Sequence, residues 1–151
     1  MIEINKDLLN TLHEQACGSE RLRMNRDLRT SSADGSQRML NALQPGTKVP
    51  VHRHRETSET VICLQGRMDV VIYDVQMEYH VEETSRTQDV LKDRSVRELS
   101  RHLLCPSEGH YGIQLPPGTW HSVEVYEPST IFEAKDGAFA PASAEDVVMY
   151  V

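Results

Sequence analysis

Apolar residues recur along the chain with two different periods, one typical of a helix and one typical of strands. Residues 5–17 place three leucines close to a 3.6-residue repeat, which predicts an amphipathic helix. Asn5 or Asp7 stands where an N-cap is needed, and Gly18 ends the pattern. No other segment has so clear a helical period. The sequence therefore predicts one short N-terminal helix.

The rest of the chain is typical of strands. Short apolar runs follow one another at a spacing of roughly ten residues and are separated by Gly and Pro. Two runs meet at Gln65-Gly66, which predicts a hairpin turn. Residues 82–104 differ, because charged residues of both signs dominate there. We interpret this segment as a polar excursion, either a long hairpin arm or a short helix.

Together these elements predict an all-β, single-domain jelly-roll barrel with the short helix packed outside it. The expected organisation is a helix in residues 1–20, the β domain in residues 21–140 with the excursion at 82–104, and a tail in residues 141–151. A chain of 151 residues can bury one core of ordinary size.

Composition and charge exclude several classes of protein. A net charge of -7 disfavours a nucleic-acid-binding protein. No apolar run reaches the roughly 20 residues that span a bilayer, and the N-terminus lacks the features of a secretory signal, so we expect no membrane association and a cytoplasmic location. Three widely separated cysteines argue against a disulfide framework.

Three of the seven histidines form a pattern of metal ligands. His52 and His54 are separated by one residue, so on a strand both imidazoles point to the same face. Glu59 begins the next apolar run, and His121 follows a Pro-Pro-Gly turn on a separate strand. Imidazole and carboxylate together suit zinc, iron, manganese or nickel. We predict that these four residues hold one divalent metal ion.

The spacing of these residues resembles the first signature motif of the cupins. Five residues separate Gly46 from His52, and six separate Glu59 from Gly66. The core of the second cupin motif, PxGxxH, is matched by Pro116, Gly118 and His121. The resemblance covers most of residues 36–137. It implies the cupin fold and the same four metal ligands.

A narrower resemblance is to the WbuC family of cupin-fold metalloproteins. It is carried by the run of residues 38–74, by the segment 21–28 and by the strand at 129–139. Genes for this family tend to lie in clusters for O-antigen and surface-polysaccharide biosynthesis. The resemblance therefore implies a substrate such as a sugar or a nucleotide sugar.

An Arg-rich segment, residues 21–38, leads into the metal motif of this acidic protein. Guanidinium groups bind anions, so we predict a small-molecule ligand that is anionic or sugar-like, with Arg38 as an anion contact. Further candidates for substrate contacts are Arg23, Asn25, Tyr73, Glu133 and Lys135. The alternative is that these residues are structural or solvent-exposed.

Three functions fit these observations. The first is a metal-dependent enzyme, an isomerase or epimerase if a base lies beside the metal, or an oxygenase if the metal is redox-active. The second is a non-catalytic module that binds a small ligand. The third is a closed structural metal site. Exposed edge strands of such a fold are often covered by a second subunit, so we also expect a homodimer.

Overall fold

The computed structural model describes residues 1–83 and 88–148, with side chains described outside 78–83 and 88–93. Residues 84–87 of the predicted excursion and 149–151 of the predicted tail lie outside the described residues. The described chain contains one α-helix, eight strands and two short 3-10 turns. These elements are α1 (Lys6–Cys17), β1 (Arg23–Asp27), β2 (Ser36–Leu43), β3 (Val51–His52), β4 (Glu59–Glu83), β5 (Gln88–Leu104), β6 (Gly112–Leu115), β7 (Trp120–Asp136) and β8 (Val147–Val148), with the 3-10 turns at Pro106–Glu108 and Ala144–Asp146.

Two long strands, β4 and β7, pair with each other along most of their length and run through both layers of the fold. The first half of β4 and the second half of β7 lie in one layer, in the order β1-β2-β7-β4-β6. The second half of β4 and the first half of β7 lie in the other, in the order β8-β3-β7-β4-β5. All of these pairings are antiparallel, as in a jelly roll.

The predicted all-β jelly roll with a short helix is confirmed, with one correction: the sheet does not close into a barrel. In the described residues β1 and β6 end one layer, while β8 and β5 end the other, and none of these four strands pairs with another edge. The main core fills the space between the layers. It is formed by Leu43, Val61, Cys63, Met68, Val70, Leu104, Leu115, Val125 and Ile131.

The predicted hairpin turn at Gln65-Gly66 is wrong, because β4 continues through it. Gly66 has a φ of 95°, and a Cβ there would lie 2.4 Å from the carbonyl oxygen of Pro128 on β7. Only glycine tolerates that conformation and that close approach. The register of β4 with β7 also shifts between Cys63 and Met68. Glycine therefore marks the bend at which β4 passes from one layer to the other.

The helix covers the outer side of the first layer. Leu9, Leu12 and Ala16 are buried against Leu40 and Ala42 of β2, and the Asn5 side chain caps the helix by accepting a 3.0 Å hydrogen bond from the Leu8 amide. Burial of these side chains fixes the helix to the sheet. No helix in the described parts of the chain combines the length and the apolar character needed to cross a bilayer.

Residues 88–104 form β5, which pairs with the second half of β4 from Met68 to Glu83. The pairing of β4 with β7 ends at Tyr73, opposite Trp120. Beyond that point the described parts of β4 and β5 pair only with each other. Residues 82–83 and 88–97 of the predicted excursion therefore form part of a long hairpin arm, whereas residues 100–104 belong to the second layer, where Leu104 is part of the main core.

Candidate metal centre

Strand pairing places two of the predicted ligands side by side. His52 on β3 lies opposite His121 on β7, with ring centroids 4.3 Å apart. Each ring donates its Nδ1 proton to a backbone carbonyl, that of Pro50 at 3.0 Å for His52 and that of Thr119 at 2.9 Å for His121. A carbonyl can only accept, so Nδ1 is protonated in both rings, which leaves Nε2 as the ligand nitrogen. Such bonds orient the imidazoles of metal sites.

The other two ligands reach the same point from the loop after β3 and from the start of β4. The loop that carries His54 is anchored to the Pro-Pro-Gly turn, because the Gly118 amide donates to the His54 carbonyl at 2.7 Å. Glu59 Oε2 lies 3.3 Å from His54 Nε2 and 3.2 Å from His121 Nε2. The turn before His121 thus also fixes the segment that holds His54.

The four side chains suit one metal ion. Their ligand atoms lie within 4.8 Å of one another. Glu59 Oε2 is buried and makes no hydrogen bond, although two imidazole nitrogens lie close to it. A buried, unpaired carboxylate oxygen is costly unless a cation or a donor satisfies it. Three nitrogens and one oxygen suit zinc, iron, manganese or nickel.

The surroundings of two members of the cluster, His52 and Glu59, keep these two side chains in the forms that bind a metal. Burial and the neighbouring His121 ring lower the pKa of His52 to about 4, so this imidazole is neutral at pH 7. Burial opposes ionisation of Glu59, but His121 and His54 outweigh it and hold the pKa of this carboxyl well below its usual value. A neutral imidazole and an ionised carboxylate both offer lone pairs.

All four predicted ligands line the wall of one cavity of about 200 Å³. Part of the wall is apolar and includes Val61 and Val123. The polar part includes Arg23, Gln37, Asn41, Glu133 and Lys135. The metal donors therefore face a space in which a small ligand can lie, and are not enclosed on every side by packed side chains.

Glu133 and Asn41 form a hydrogen-bonded pair in this wall. Asn41 Nδ2 donates to Glu133 Oε2 at 2.7 Å. Burial, and then the negative charge of Glu59, raise the pKa of Glu133 to about 8. At neutral pH this carboxyl therefore keeps its proton, and its Oε1 makes no hydrogen bond to the described residues.

Lys135 lies next to a predicted ligand. Its Nζ is 3.1 Å from Nδ1 and 3.3 Å from Nε2 of His54. Burial lowers the pKa of this ammonium group. Lys135 is also opposite Glu59 in the pairing of β4 with β7. A positive charge is thus placed beside the metal cluster.

The remaining substrate residues predicted from the sequence divide between the cavity and the surface. Arg23 lines the cavity, and its guanidinium donates to the Lys48 carbonyl at 2.6 Å. Asn25 is exposed on β1, and Tyr73 lines a separate depression outside the cavity. The structure does not bring these two residues to the metal cluster.

Arg38 also lies outside the cavity, so its expected place at the site has to be corrected. The cavity is lined by every second residue of β2, at positions 37, 39, 41 and 43. Arg38 therefore falls on the opposite face. There its Nη2 lies 2.6 Å from Asp34 Oδ2. The Arg-rich segment contributes Arg23 to the cavity, while Arg38 and Arg29 pair with aspartates.

Sequence reasoning missed Gln37 and Met39, which line the cavity. Gln37 is buried, and its Nε2 donates to the Gly137 carbonyl at 3.3 Å. A signal was available in the alternation of side chains along β2. A strand that presents Asn41 to a cavity also presents residues 37 and 39.

The chain is similar to known proteins both in sequence and in fold. The sequence profile of DUF6016, a domain of unknown function, matches residues 4–85, more than half of the chain. Among curated proteins none shows significant sequence similarity to this chain.

Solved structures with a similar fold include a cupin 2 domain-containing protein from Halorhodospira halophila, at 17% identity and a TM-score of 0.52 over 81% of this chain and 70% of that one. Another is the capsular polysaccharide assembling protein CapF from Staphylococcus aureus, at 14% identity and a TM-score of 0.51 over 87% of this chain. The chain spans about a third of CapF, 32% of its length. At such identities these likenesses show the fold alone. On the profile match and the fold together, the chain belongs to the DUF6016 family and has the fold of the cupins.

Proposed function

We propose that this protein is a mononuclear metal-dependent cupin that binds and transforms a small, oxygen-rich anion. The observation that carries the proposal is that the four donors of one cluster line the wall of a cavity. Structural metal sites are closed by protein ligands, whereas catalytic sites keep positions open to a substrate. A cluster that faces a cavity supports the second kind of site.

The size of the cavity restricts the part of the ligand that fits inside. A cavity of about 150 Å³ holds one benzene molecule. At about 200 Å³, this cavity accommodates a small hydroxy or oxo acid, or part of a sugar. A nucleotide sugar would leave its nucleotide outside. The inner part of the ligand is therefore of the size of a small acid.

Charged groups at the wall favour an anion with several oxygens. Two side chains supply positive charge to the cavity wall. The Lys135 ammonium lies beside the metal cluster, and the Arg23 guanidinium comes from β1. A bound divalent metal would act as a Lewis acid on a chelating hydroxyl, carbonyl or carboxylate oxygen. Arg23 is already held by the Lys48 carbonyl, so its guanidinium is ordered before a ligand arrives.

Glu133 is our candidate for proton transfer. Asn41 fixes Oε2 of this carboxyl, and a pKa raised to about 8 keeps a proton available near neutral pH. A group that can give and take a proton beside a metal cluster favours an isomerase or an epimerase over an oxygenase. The assignment to the WbuC family, a role in surface-polysaccharide biosynthesis, a homodimeric state and a cytoplasmic location remain predictions from the sequence.

The proposal is tested on protein purified without chelators, by metal analysis and by calorimetric titration with small hydroxy and oxo acids and with sugar acids. We expect about one divalent ion per chain and saturable binding of at least one acid. Lys135→Met should weaken that binding, whereas Arg38→Met, outside the cavity, should not. Glu133→Gln should still bind the acid but not convert it. Protein without metal, or metal-loaded protein that binds none of these acids, would contradict the proposal.

A further inference from the structure

A second group of charged side chains surrounds the metal-binding loop from outside the cavity. The loop after β3 carries an arginine on each side of His54, at positions 53 and 55. Asp146 Oδ1 lies 2.9 Å from Arg53 Nε and 2.6 Å from Arg55 Nε. One carboxylate oxygen therefore bridges the two neighbours of a predicted metal ligand.

The backbone strengthens this link. The Arg53 amide donates to the Asp146 carbonyl at 3.1 Å, and Val147, the next residue along, lies opposite His52 in the pairing of β3 with β8. β3 contains only two residues, Val51 and His52. So short a strand has few ladder hydrogen bonds to fix it, and the C-terminal segment supplies part of those it has.

Asp146 is itself held in place. Its side chain is 14% exposed, and Ser143 donates to its Oδ2 at 2.7 Å. Arg53 also lies over the Trp120 ring, with its guanidinium carbon 4.6 Å from the ring centroid. Trp120 precedes the ligand His121 on β7. The contacts of Asp146 thus reach both segments that carry histidine ligands.

We infer that Asp146 is a positioning residue for the metal centre, which it orders by bridging Arg53 and Arg55 on either side of His54. The inference rests on the proposed function, because it assumes that the cluster binds a metal. Asp146 touches none of the four ligands in the described contacts. Partners outside the first ligand shell that orient metal ligands commonly affect affinity by about 10- to 100-fold.

The test uses Co²⁺ as the probe, added to the metal-free full chain, with its affinity and its visible d–d spectrum as readouts. We expect Asp146→Asn to lower the Co²⁺ affinity by about tenfold or more and to change the spectrum, because the ligand geometry loosens. Ser143→Ala, which removes one contact to Asp146 and leaves the bridge, should cause a smaller loss in the same direction. This milder variant decides the question if Asp146→Asn does not fold.

Two variants serve as matched controls. Asp34 is 17% exposed and pairs with Arg38 away from the cavity, so Asp34→Asn removes a similar aspartate–arginine pair. Glu145 is 77% exposed and contacts Arg55 alone in the described ion pairs, which makes Glu145→Gln the control for the loss of one surface pair. Both should bind Co²⁺ like the wild type, within about twofold.

The results of this experiment distinguish the positioning role of Asp146 from the existence of the metal centre. Wild-type affinity and an unchanged spectrum in Asp146→Asn, or an equal loss in Asp34→Asn, would overturn the role of Asp146 and leave the metal centre standing. If the wild type itself binds no Co²⁺, the proposed function fails, and the positioning role fails with it.

Discussion

His52 and His121 face each other across neighbouring antiparallel strands, and each donates its Nδ1 proton to the carbonyl of the residue two positions before it. The same local geometry is thus used twice, once on either side of the cluster. Both rings are thus held with Nδ1 turned to the backbone, and Nε2 is left as the ligand nitrogen. The protein therefore prepares two nitrogen ligands before a metal arrives.

Replacement of His121 by alanine is expected to remove the metal. The variant loses one of three nitrogen donors and leaves Glu59 Oε2 with one imidazole fewer beside it. Metal content per chain, measured by mass spectrometry of metals after purification without chelators, should fall close to zero. His110→Ala is the control, because His110 is exposed and lies outside the cluster. Equal metal content in both variants would contradict the assignment.

Removal of the metal is expected to lower the melting temperature. An ion that binds only the folded state, and whose free concentration is 100 times its Kd, adds about 2.7 kcal/mol to the free energy of unfolding. For a chain of this size that corresponds to roughly 5–10 °C. Differential scanning calorimetry before and after dialysis against a chelator measures the shift. The same treatment should leave the melting temperature of His121→Ala unchanged, and a shift of equal size there would point to binding elsewhere.

In the metal-free protein, Glu133 makes the free energy of unfolding depend on pH, and an amide at this position would remove that dependence. In the folded protein its pKa is raised from 4.5 to about 8, so between these values the folded state holds a proton that the unfolded state releases. Its contribution to stability is therefore complete below pH 4.5 and is lost as the pH rises through 8.

The measurement is the difference in free energy of unfolding between the wild type and Glu133→Gln, obtained by urea denaturation. We expect the wild type to lose on the order of 2–4 kcal/mol relative to the variant between pH 5 and pH 8.5. His52 makes the free energy of unfolding change with pH in the opposite direction, because its pKa is lowered. Since His52 is present in both proteins, its contribution cancels in the difference. A difference that does not change with pH would show that Glu133 has an ordinary pKa.

Alanine at Gly66 should destabilise the fold far more than alanine at Gly109. Both glycines have positive φ, 95° and 86°. The new Cβ at position 66 would overlap the backbone of Pro128 and Ser129, whereas nothing lies within 4 Å of it at position 109. We expect a loss of about 1–2 kcal/mol for Gly109→Ala and about 3 kcal/mol or more for Gly66→Ala. Chemical denaturation measures both, and equal losses would contradict the close approach of β4 and β7 at the bend.

The helix and the metal cluster could be predicted from the sequence because both depend on short-range spacing. The leucines of α1 follow the helical period, and Asn5 caps it as one of two residues predicted for that role. His52 and His54 are separated by one residue and Glu59 follows closely, so the short spacing along the chain keeps them near each other, although His54 lies in the loop after β3 and not on the predicted strand. His121 could be placed with them because of its position after the Pro-Pro-Gly turn.

The predictions from the sequence were wrong where one local pattern is compatible with two different structures. The glycine at position 66 permits either a turn or a bend with close strand contact, and only the pairing of β4 with β7 decides between them. The charge of Arg38 suggested an anion contact, but a shift of one residue on a strand moves a side chain to the other face. The role of Asp146 depends on pairing across more than 90 residues, which no local pattern reports.

Strands β4 and β7 are shared by the two layers, and this has a consequence for how the molecule opens. Each layer contains part of β4 and part of β7, so neither layer can unfold without disrupting the pairing of these two strands, which extends from Glu59 to Tyr73 with register shifts near Gly66. Amides on both sides of Gly66 should therefore exchange with solvent at one common, slow rate, through global unfolding of a single cooperative unit. The cavity and the core beside it would then lose their structure together.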